Sequence, residues 1–338
     1  MTTKEYLAKM FDGMAKGLFV SLIIGTIIKQ IGTVIGVLQI QQIGSIAQYC
    51  MGPAIGAGVA FVRQPKMITF VAAIIAGAIG AGTFKFTNGA VTAVTGEPAG
   101  AFIASLVAVE LGRLAEGHTK FDLIAIPFIS ITGGSLVGLF VSPVISNVLL
   151  KQIGVFVQWL STMPDVPMGI LVGIVVGMIL TLPISSTAIC VAINIGINAS
   201  GTIPAGAALA GCCAQMVGFA VISWRDNKFG GLCVQAVGTS MVQIPNIIKN
   251  PLIWIPPTVA SGVCGLLSTL GFKMVTTSVG AGMGTSGLVG QFATYGIMGI
   301  NSLIPMILLH FLIPAAISIT IAEFMRYKGW IKNGDLSI

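Results

Sequence analysis

Apolar runs separated by short polar connectors occupy most of this chain. A helix of about 20 apolar residues crosses a bilayer, whereas a transmembrane barrel strand shows about ten residues of alternating polarity. The runs here are unbroken, so the pattern predicts an all-α integral membrane protein with about ten transmembrane helices. The apolar runs of the first half cover residues 14–38, 43–62, 67–82, 101–112 and 123–145, and those of the second half cover residues 168–182, 188–197, 204–222, 254–270 and 303–321.

The pattern of the first half restarts in the second half. Gly17–Gly25 matches Gly169–Gly177, and Pro53 matches Pro204. Seven further residues recur at one constant spacing: Ala72, Gly77, Phe84, Lys85, Val91, Ala93 and Gly96 match Ala260, Gly265, Phe272, Lys273, Val279, Ala281 and Gly284. Shared spacing over seven positions indicates an internal duplication.

The duplication predicts two transmembrane repeats, at residues 1–165 and 166–338, with an insertion in the second at about residues 211–248. Five spans in each repeat is an odd number, so the two repeats are expected in opposite orientations. Inverted repeats of this kind are common in transporters, which bind substrate near the midplane at broken helices in corresponding positions.

A glycine-rich stretch, Gly280–Gly290, lies between two of the long apolar runs and is followed by Gln291. Dense glycine permits a positive φ and leaves backbone N–H groups uncovered. At membrane depth, non-helical backbone is tolerated only where it lines a cavity or is buried in protein. We therefore expect a re-entrant or broken helix here. The duplication pairs it with Thr95–Gly100, and we expect the two elements to meet near the midplane.

Composition supports a membrane location. The chain of 338 residues is 55% hydrophobic and 8% charged, whereas a soluble domain carries about 25% charged residues. The net charge of +7 is typical of basic residues at helix ends and on cytoplasmic loops, and it does not indicate a nucleic-acid partner. The six cysteines form no metal-binding spacing and are expected to act as small buried hydrophobes. Residues 1–13 are polar and predict a surface helix, with no cleavable signal peptide.

Glu97 is the acidic residue most suggestive of function. An ionisable group at membrane depth marks a functional site by default, so the carboxylate is a candidate for accepting substrate hydroxyls or for holding a proton or cation. The alternative is a helix N-cap acid at the membrane surface, where the helix dipole favours negative charge.

Hydroxyl and amide side chains within the glycine stretch suit a polyol or a small anion. The same residue types are routine in helix packing, so both interpretations stay open. A weaker polar cluster follows Pro183. The candidate substrate-binding residues are Glu97, Gly96, Gly284, Thr285, Ser286, Gly287, Gln291, Ser186 and Asn194.

Other polar residues favour structural roles. His310 lies inside the last apolar run, where a buried histidine bonded to a neighbouring helix is favoured over a proton relay. Lys85 and Lys273 match across the repeat and are expected to extend to the membrane interface. The sequence has no phosphate-binding loop and no hydrolase or metalloprotease motif. We therefore expect no enzymatic activity of the polypeptide itself, no cofactor and no metal.

The basic residues favour cytoplasmic N and C termini. With ten spans, Arg225, Lys228 and Lys249 would lie on the opposite side from the C terminus, unless the inserted segment changes the count.

Three segments resemble membrane proteins of the phosphotransferase-system IIC type, in particular the group that includes perfringolysin-regulator-like proteins. The segments are Leu182-Pro-Ile-Ser-Ser-Thr187, Pro245-Asn-Ile-Ile-Lys-Asn-Pro-Leu-Ile-Trp-Ile-Pro256 and Gly282-Met-Gly-Thr-Ser-Gly-Leu-Val-Gly-Gln291. The resemblance covers essentially the whole chain. It implies a multi-pass sugar permease of the bacterial cytoplasmic membrane, working as a homodimer with a separate cytosolic IIB-type protein that phosphorylates the sugar.

Two alternatives remain at this stage. The chain ends 17 residues after the last apolar run without a fused IIA or IIB domain, which leaves room for an ion-coupled carrier of a small organic anion. The same feature is compatible with a membrane sensor that transports nothing.

Overall fold

The computed structural model describes residues 2–87, 90–118, 121–196 and 201–338, without the side chains of residues 87 and 145–147. The chain divides into two units, Met1–Leu149 and Leu150–Ile338. The described residues of the first unit form seven α-helices: α1 Thr3–Leu18, α2 Ile24–Val34, α3 Leu38–Tyr49, α4 Met51–Arg63, α5 Met67–Ala81, α6 Pro98–Ala115 and α7 Asp122–Val144. The proposed repeat boundary, between residues 165 and 166, stays a prediction.

The second unit is also helical in its described residues. Its α-helices are α8 Lys151–Leu160, α9 Asp165–Thr181, α10 Ser186–Ala192, α11 Ile203–Ile222, α12 Trp224–Cys233, α13 Ile244–Lys249, α14 Ile255–Leu270, α15 Ser278–Ala281, α16 Val289–Met298, α17 Leu303–Ile307 and α18 Ile313–Tyr327. Single π-helical turns occur at Phe19–Ile23, Ile145–Leu150, Val234–Gly238 and Leu308–Leu312, and 3₁₀ turns at Ser240–Gln243, Pro251–Trp254, Ser286–Leu288 and Gly299–Ser302.

Six continuous helical stretches of the described residues are long and apolar enough to cross a membrane, and a seventh arises if α3 and α4, bent by 50°, form one span. Ten crossings are therefore not confirmed. The number of candidate spans differs from the expected ten for two physical reasons. Three of the stretches have 32, 39 and 42 residues, well beyond the roughly 20 that one crossing needs. The apolar helices α5 and α9, with 15 and 17 residues, fall short of that length.

Helix α7 shows how side chains divide between protein and lipid. Phe128 and Phe140 are 68% and 74% exposed in the isolated chain. Exposed apolar surface of this size normally contacts lipid or a partner protein. The opposite face carries small residues at a spacing of four, Ser130, Gly134 and Gly138, all buried. A Cβ atom on Gly138 would lie 2.8 Å from Gly80 of α5. Small residues thus let these helices approach closely, as is usual in membranes.

A β-hairpin separates α5 from α6, where the sequence indicated only a polar connector. Strand β1, Phe84–Thr87, pairs antiparallel with strand β2, Ala90–Ala93. Phe84, Phe86 and Val91 are exposed on it. Aromatic and β-branched residues favour strands, but the short segment sits among longer apolar runs that dominate the sequence pattern. Lys85, which was expected at the interface, is an exposed residue of this hairpin.

Charged side chains gather at the other end of the first unit. Nε of Arg63, at the end of α4, donates to Glu110 of α6 at 2.6 Å, and the hydroxyl of Tyr6 donates to the same carboxylate at 2.7 Å. Nearby, Glu116 accepts from the backbone N–H of Lys66 at 3.1 Å. This end therefore joins α1, α4, α5 and α6 through polar contacts.

Helix α11 forms the centre of the second unit. Nearly every residue from Ala205 to Ile222 is buried, and a helix that is apolar all round belongs in a protein interior. The carbonyl oxygen of Gly211 accepts from Ser261 of α14 at 2.9 Å, and a Cβ atom on Gly211 would lie 2.0 Å from the carbonyl oxygen of Gly173 in α9. The buried cluster that contains Ala214, on the same helix, packs against Ile317 of α18. Helices α9, α14 and α18 thus surround α11.

The end of α11 lies beside the end of α18, which changes the expected placement of the basic residues. Glu323 accepts from Arg225 at 2.7 Å and from Arg326 at 2.8 Å. Asn227 donates to the carbonyl oxygen of Leu336 at 2.7 Å. Helices α12 and α13 thus return to the end of this unit that holds the C-terminal segment, which agrees with the alternative that the inserted segment changes the count of spans.

Candidate functional site

The glycine stretch runs alongside α11 inside the second unit, then reverses direction and runs back to its starting end. Thr276 forms a β-bridge with Thr202, which caps the start of α11. Farther along, a Cβ atom on Gly284 would lie 3.1 Å from the backbone of Cys212, ten residues or about 15 Å along the α11 direction from Thr202. The chain then turns back, and Sδ of Met298 accepts from the backbone N–H of Val275 at 3.4 Å.

Three left-handed residues form the turn at the deep end of this path. Gly284, Gly287 and Leu288 have φ angles of +56°, +53° and +57°. Glycine adopts such angles without strain, but leucine does not, and non-glycine residues in this region cluster at functional sites. The turn separates the short α15 from α16, so regular helical hydrogen bonding is interrupted where the sequence has its highest glycine density.

The start of α10 contacts this turn. Oγ of Ser186 donates to the carbonyl oxygen of Gly282 at 2.8 Å, and the hydroxyl of Thr187 lies 3.0 Å from Sδ of Met283. A Cβ atom on Gly282 would lie 2.6 Å from the backbone nitrogen of Thr187. The structure therefore brings Ser186 together with the glycine stretch, although the two are far apart in sequence.

Asn194 does not belong to this group. It follows the end of α10, away from Ser186, and is exposed with a φ angle of +50°. Asparagine tolerates the left-handed region better than most residues because its side chain is short and polar. We therefore assign Asn194 to the turn that ends α10.

Two polar atoms of the candidate site lack a hydrogen-bond partner among the described residues. Ser286 and Gln291 are 4% and 8% exposed, and both Oγ of Ser286 and Oε1 of Gln291 are buried without a bond. A buried polar group normally finds a partner, since leaving it unsatisfied costs about 1–3 kcal/mol. By contrast, the hydroxyl of Thr285 donates to the carbonyl oxygen of Ala236.

Gln291 also joins a buried group on neighbouring helices. Its Nε2 lies 3.1 Å from Nδ1 of His310 and 3.3 Å from Sγ of Cys213. The expectation of a buried histidine bonded to a neighbouring helix agrees with these contacts. Cys213 is buried as expected, whereas Cys50 and Cys233 are exposed, so the expectation that all six cysteines are buried is wrong for these two.

A cavity of about 350 Å³ adjoins Gln291. Aromatic and aliphatic side chains form the rest of its lining, namely Leu288, Phe292, Tyr295, Leu303 and Met306. Small-molecule sites combine an apolar lining with a few placed polar groups in volumes of about 300–1,000 Å³. The size and lining of this cavity fit that description.

Glu97 and Gly96 lie in the first unit. Glu97 precedes α6 and is 7% exposed, and its backbone N–H donates to the carbonyl oxygen of Ala81 at 2.9 Å. Glu97 occupies the N-cap position of α6, as the alternative interpretation expected, although its side chain makes no capping hydrogen bond to that helix. Gly96 has a φ angle of +76°, and a Cβ atom there would lie 2.4 Å from the carbonyl oxygen of Ala81.

Sequence reasoning missed a polar centre around Gln215 of α11. Oε1 of Gln215 accepts from Nε1 of Trp254 at 3.0 Å, and its Nε2 donates to Thr258 at 3.2 Å. The hydroxyl of Thr181 contacts both Gln215, at 3.3 Å, and Ser240, at 2.8 Å. The available signal was one amide in an otherwise apolar run, because a fully buried glutamine must find partners.

Comparison with known protein families identifies the chain. The family model described as "Phosphotransferase system, EIIC" matches residues 8–338. The chain belongs to this family. The resemblance to IIC proteins is thus confirmed, and this EIIC protein is a multi-pass membrane permease component of a sugar-uptake system. Comparison with curated proteins finds no significant match.

Proposed function

We propose that this EIIC protein binds a small polar solute, with a sugar as the expected class, at the turn formed by residues 282–291. The main support for this site is a pair of buried polar atoms without a hydrogen-bond partner among the described residues, Oγ of Ser286 and Oε1 of Gln291. Sugar hydroxyls both donate and accept, so they suit either atom. The hydrogen bond from Ser186 to Gly282 supports the turn that presents them.

The location of the turn also supports transport. Transporters place substrate near the bilayer midplane at discontinuous helices, and the turn lies beside the middle of α11. We propose that Thr276–Met298 acts as a re-entrant element. Irregular backbone at that depth is compatible with a membrane only beside protein or a water-filled path.

We propose Glu97 and Gly96 as the counterpart of this element in the first unit. Gly96 and Gly284, which match across the repeat, both have positive φ. Helix α5 and helix α14, which also match, begin and end at equivalent positions within one residue. These features support the duplication. The inverted orientation of the repeats, and a meeting of Glu97 with the second turn, stay predictions.

The charge distribution supports cytoplasmic placement of the basic ends. Basic residues flank α1, α4 and α6 in the first unit, and six basic residues lie at one end of the second: Arg225, Lys228, Lys249, Arg326, Lys328 and Lys332. Cytoplasmic loops carry an excess of Lys and Arg. We propose that the protein is a homodimer in the bacterial cytoplasmic membrane and that a cytosolic IIB-type protein acts with it.

Uptake measurements in proteoliposomes test the solute site. We expect Ser286→Ala and Gln291→Ala to lower uptake of the transported sugar, with folded yield retained. Ser318→Ala is the matched control, since Oγ of Ser318 on α18 is also buried and unpartnered among the described residues but lies against Gly218 of α11. Equal uptake by all three variants and the unmodified protein would refute the site.

The same assay separates the mode of transport. Uptake that requires a IIB protein and yields phosphorylated sugar supports the phosphotransferase function. Uptake that persists without IIB and collapses with the ion gradient would instead indicate an ion-coupled carrier. No flux across a broad solute panel, together with recovery of a cytosolic partner, would indicate a sensor.

A further inference from the structure

A second cavity of the EIIC protein lies away from the glycine turn, at the basic end of the second unit. Its volume is about 320 Å³, and it lies between the end of α11, the start of α12 and the last turns of α18. Four of its lining residues are aliphatic and four are charged or aromatic: Val221, Ile222, Leu232 and Ile319, and Trp224, Arg225, Glu323 and Arg326.

The charged residues that line this cavity carry a net positive charge. Arg225 and Arg326 both contact the carboxylate of Glu323, so two guanidinium groups share one negative charge. Arg326 is held further by a bond of 2.6 Å to the carbonyl oxygen of Ile222. The Arg225 side chain is 55% exposed, and its one hydrogen bond among the described residues is the one to Glu323. Arg225 therefore retains donors for an anion.

Nearby acidic groups do not cancel this excess. Asp226 accepts from the backbone N–H groups of Gly334 and Leu336, at 3.0 and 3.2 Å. Those bonds direct its carboxylate to the C-terminal segment. Lys328, just beyond α18, adds a further positive charge at this end.

Exposed tryptophan side chains beside the cavity favour a position at the membrane interface. Trp224 lines the cavity and is 45% exposed. Trp330, in the C-terminal segment, is 50% exposed. Tryptophan is enriched at the headgroup level, where one side of the ring contacts hydrocarbon and the other contacts polar groups.

We propose that this cavity binds an anionic phospholipid. The phosphodiester contacts the free donors of Arg225, and an acyl chain lies on Leu232 and Ile319, of which Ile319 is 43% exposed. Arginine suits phosphate because its planar guanidinium forms paired hydrogen bonds. Basic pockets between transmembrane helices on the cytoplasmic side commonly hold anionic headgroups. Such a lipid would tie α11, α12 and α18 together.

Native mass spectrometry and thermal unfolding of the full-length protein in detergent test the proposal. The probes are phosphatidylglycerol, phosphatidylcholine and inorganic phosphate. We expect phosphatidylglycerol to stay bound and to raise Tm more than the other two. Arg225→Gln should weaken phosphatidylglycerol binding by about tenfold, as loss of one charge-assisted contact implies. Lys332→Gln, which removes the same charge from an exposed residue outside the lining, should bind normally.

A second variant keeps the test decisive if Arg225→Gln folds poorly. Ile319→Trp fills the aliphatic part of the cavity without changing charge and should also lower phosphatidylglycerol retention. Unchanged retention in both variants would overturn the proposal. Equal stabilisation by inorganic phosphate would assign the cavity to a soluble anion, and equal binding of phosphatidylcholine would remove the role of charge. Either result contradicts the proposed lipid site.

Discussion

Oγ of Ser186 donates a hydrogen bond of 2.8 Å to the carbonyl oxygen of Gly282. This bond joins the start of α10 to the glycine turn, and it places two separate sequence motifs in one site. The expected effect of Ser186→Ala is a loss of uptake with a small loss of stability. A buried carbonyl left without its partner costs about 1–3 kcal/mol. Solute uptake and Tm measured on the same preparation check this.

Ser302→Ala provides the comparison for that variant. Ser302 is buried in the same unit and donates to the carbonyl oxygen of Gly299 at 2.7 Å, but it lies outside the turn. Its loss should lower Tm similarly and leave uptake near normal. Equal losses of uptake in both variants would assign Ser186 a general structural role.

Gly284 supports a prediction that separates steric from backbone effects. Gly284→Ala introduces a Cβ atom 2.7 Å from Sδ of Met216 at a φ angle of +56°. Gly82→Ala, in the turn after α5, meets no atom within 4 Å at a φ angle of +67° and a ψ angle of +35°. Backbone strain of about 1 kcal/mol applies to both, so Gly284→Ala should lower Tm further, because overpacking adds about 1–3 kcal/mol. Identical Tm values would show that the turn relaxes around the added methyl group.

Two glutamates of the first unit are expected to behave differently. Glu97→Gln should lower uptake by about tenfold, in line with loss of a charged hydrogen bond to solute, while the yield of folded protein is retained. Glu110→Gln should mainly reduce stability, because Glu110 binds both Arg63 and Tyr6. Uptake per folded molecule and Tm distinguish the two. If Glu97→Gln transports normally, Glu97 is not part of the solute site.

Cysteine accessibility checks the placement of the basic segments. Lys228→Cys and Lys332→Cys, each made in a background with Cys50 and Cys233 replaced by Ser, should react with an impermeant maleimide from the same side of the membrane. The side should be cytoplasmic, since basic residues concentrate there. Labelling from opposite sides would contradict the contact between Asn227 and Leu336.

The C-terminal segment was the least predictable part of the fold. Asn246 lies within α13, and Asn250 follows its end. Both side chains also donate to carbonyl oxygens of this segment, those of Ser337 and Trp330. A polar residue followed by proline announces the end of a helix locally, but its long-range partner depends on where the chain returns.

Several properties of this protein depend only on composition and short-range pattern, and these were predictable. Unbroken apolar runs required helices in a membrane, and glycine density located the irregular backbone at Gly284 and Gly287, because φ angles are a local property. The residues of the IIC-type motifs also indicated the family. These features need no knowledge of which helices are neighbours.

The folded structure shows which polar groups meet. It shows hydrogen bonds between Ser186 and Gly282 and between His310 and Gln291. It also shows that Arg225 and Arg326 share the carboxylate of Glu323. Each contact depends on helix packing and on the direction in which the chain returns. Apolar periodicity says little about either, because in a membrane the lipid-facing and protein-facing sides of a helix are both apolar.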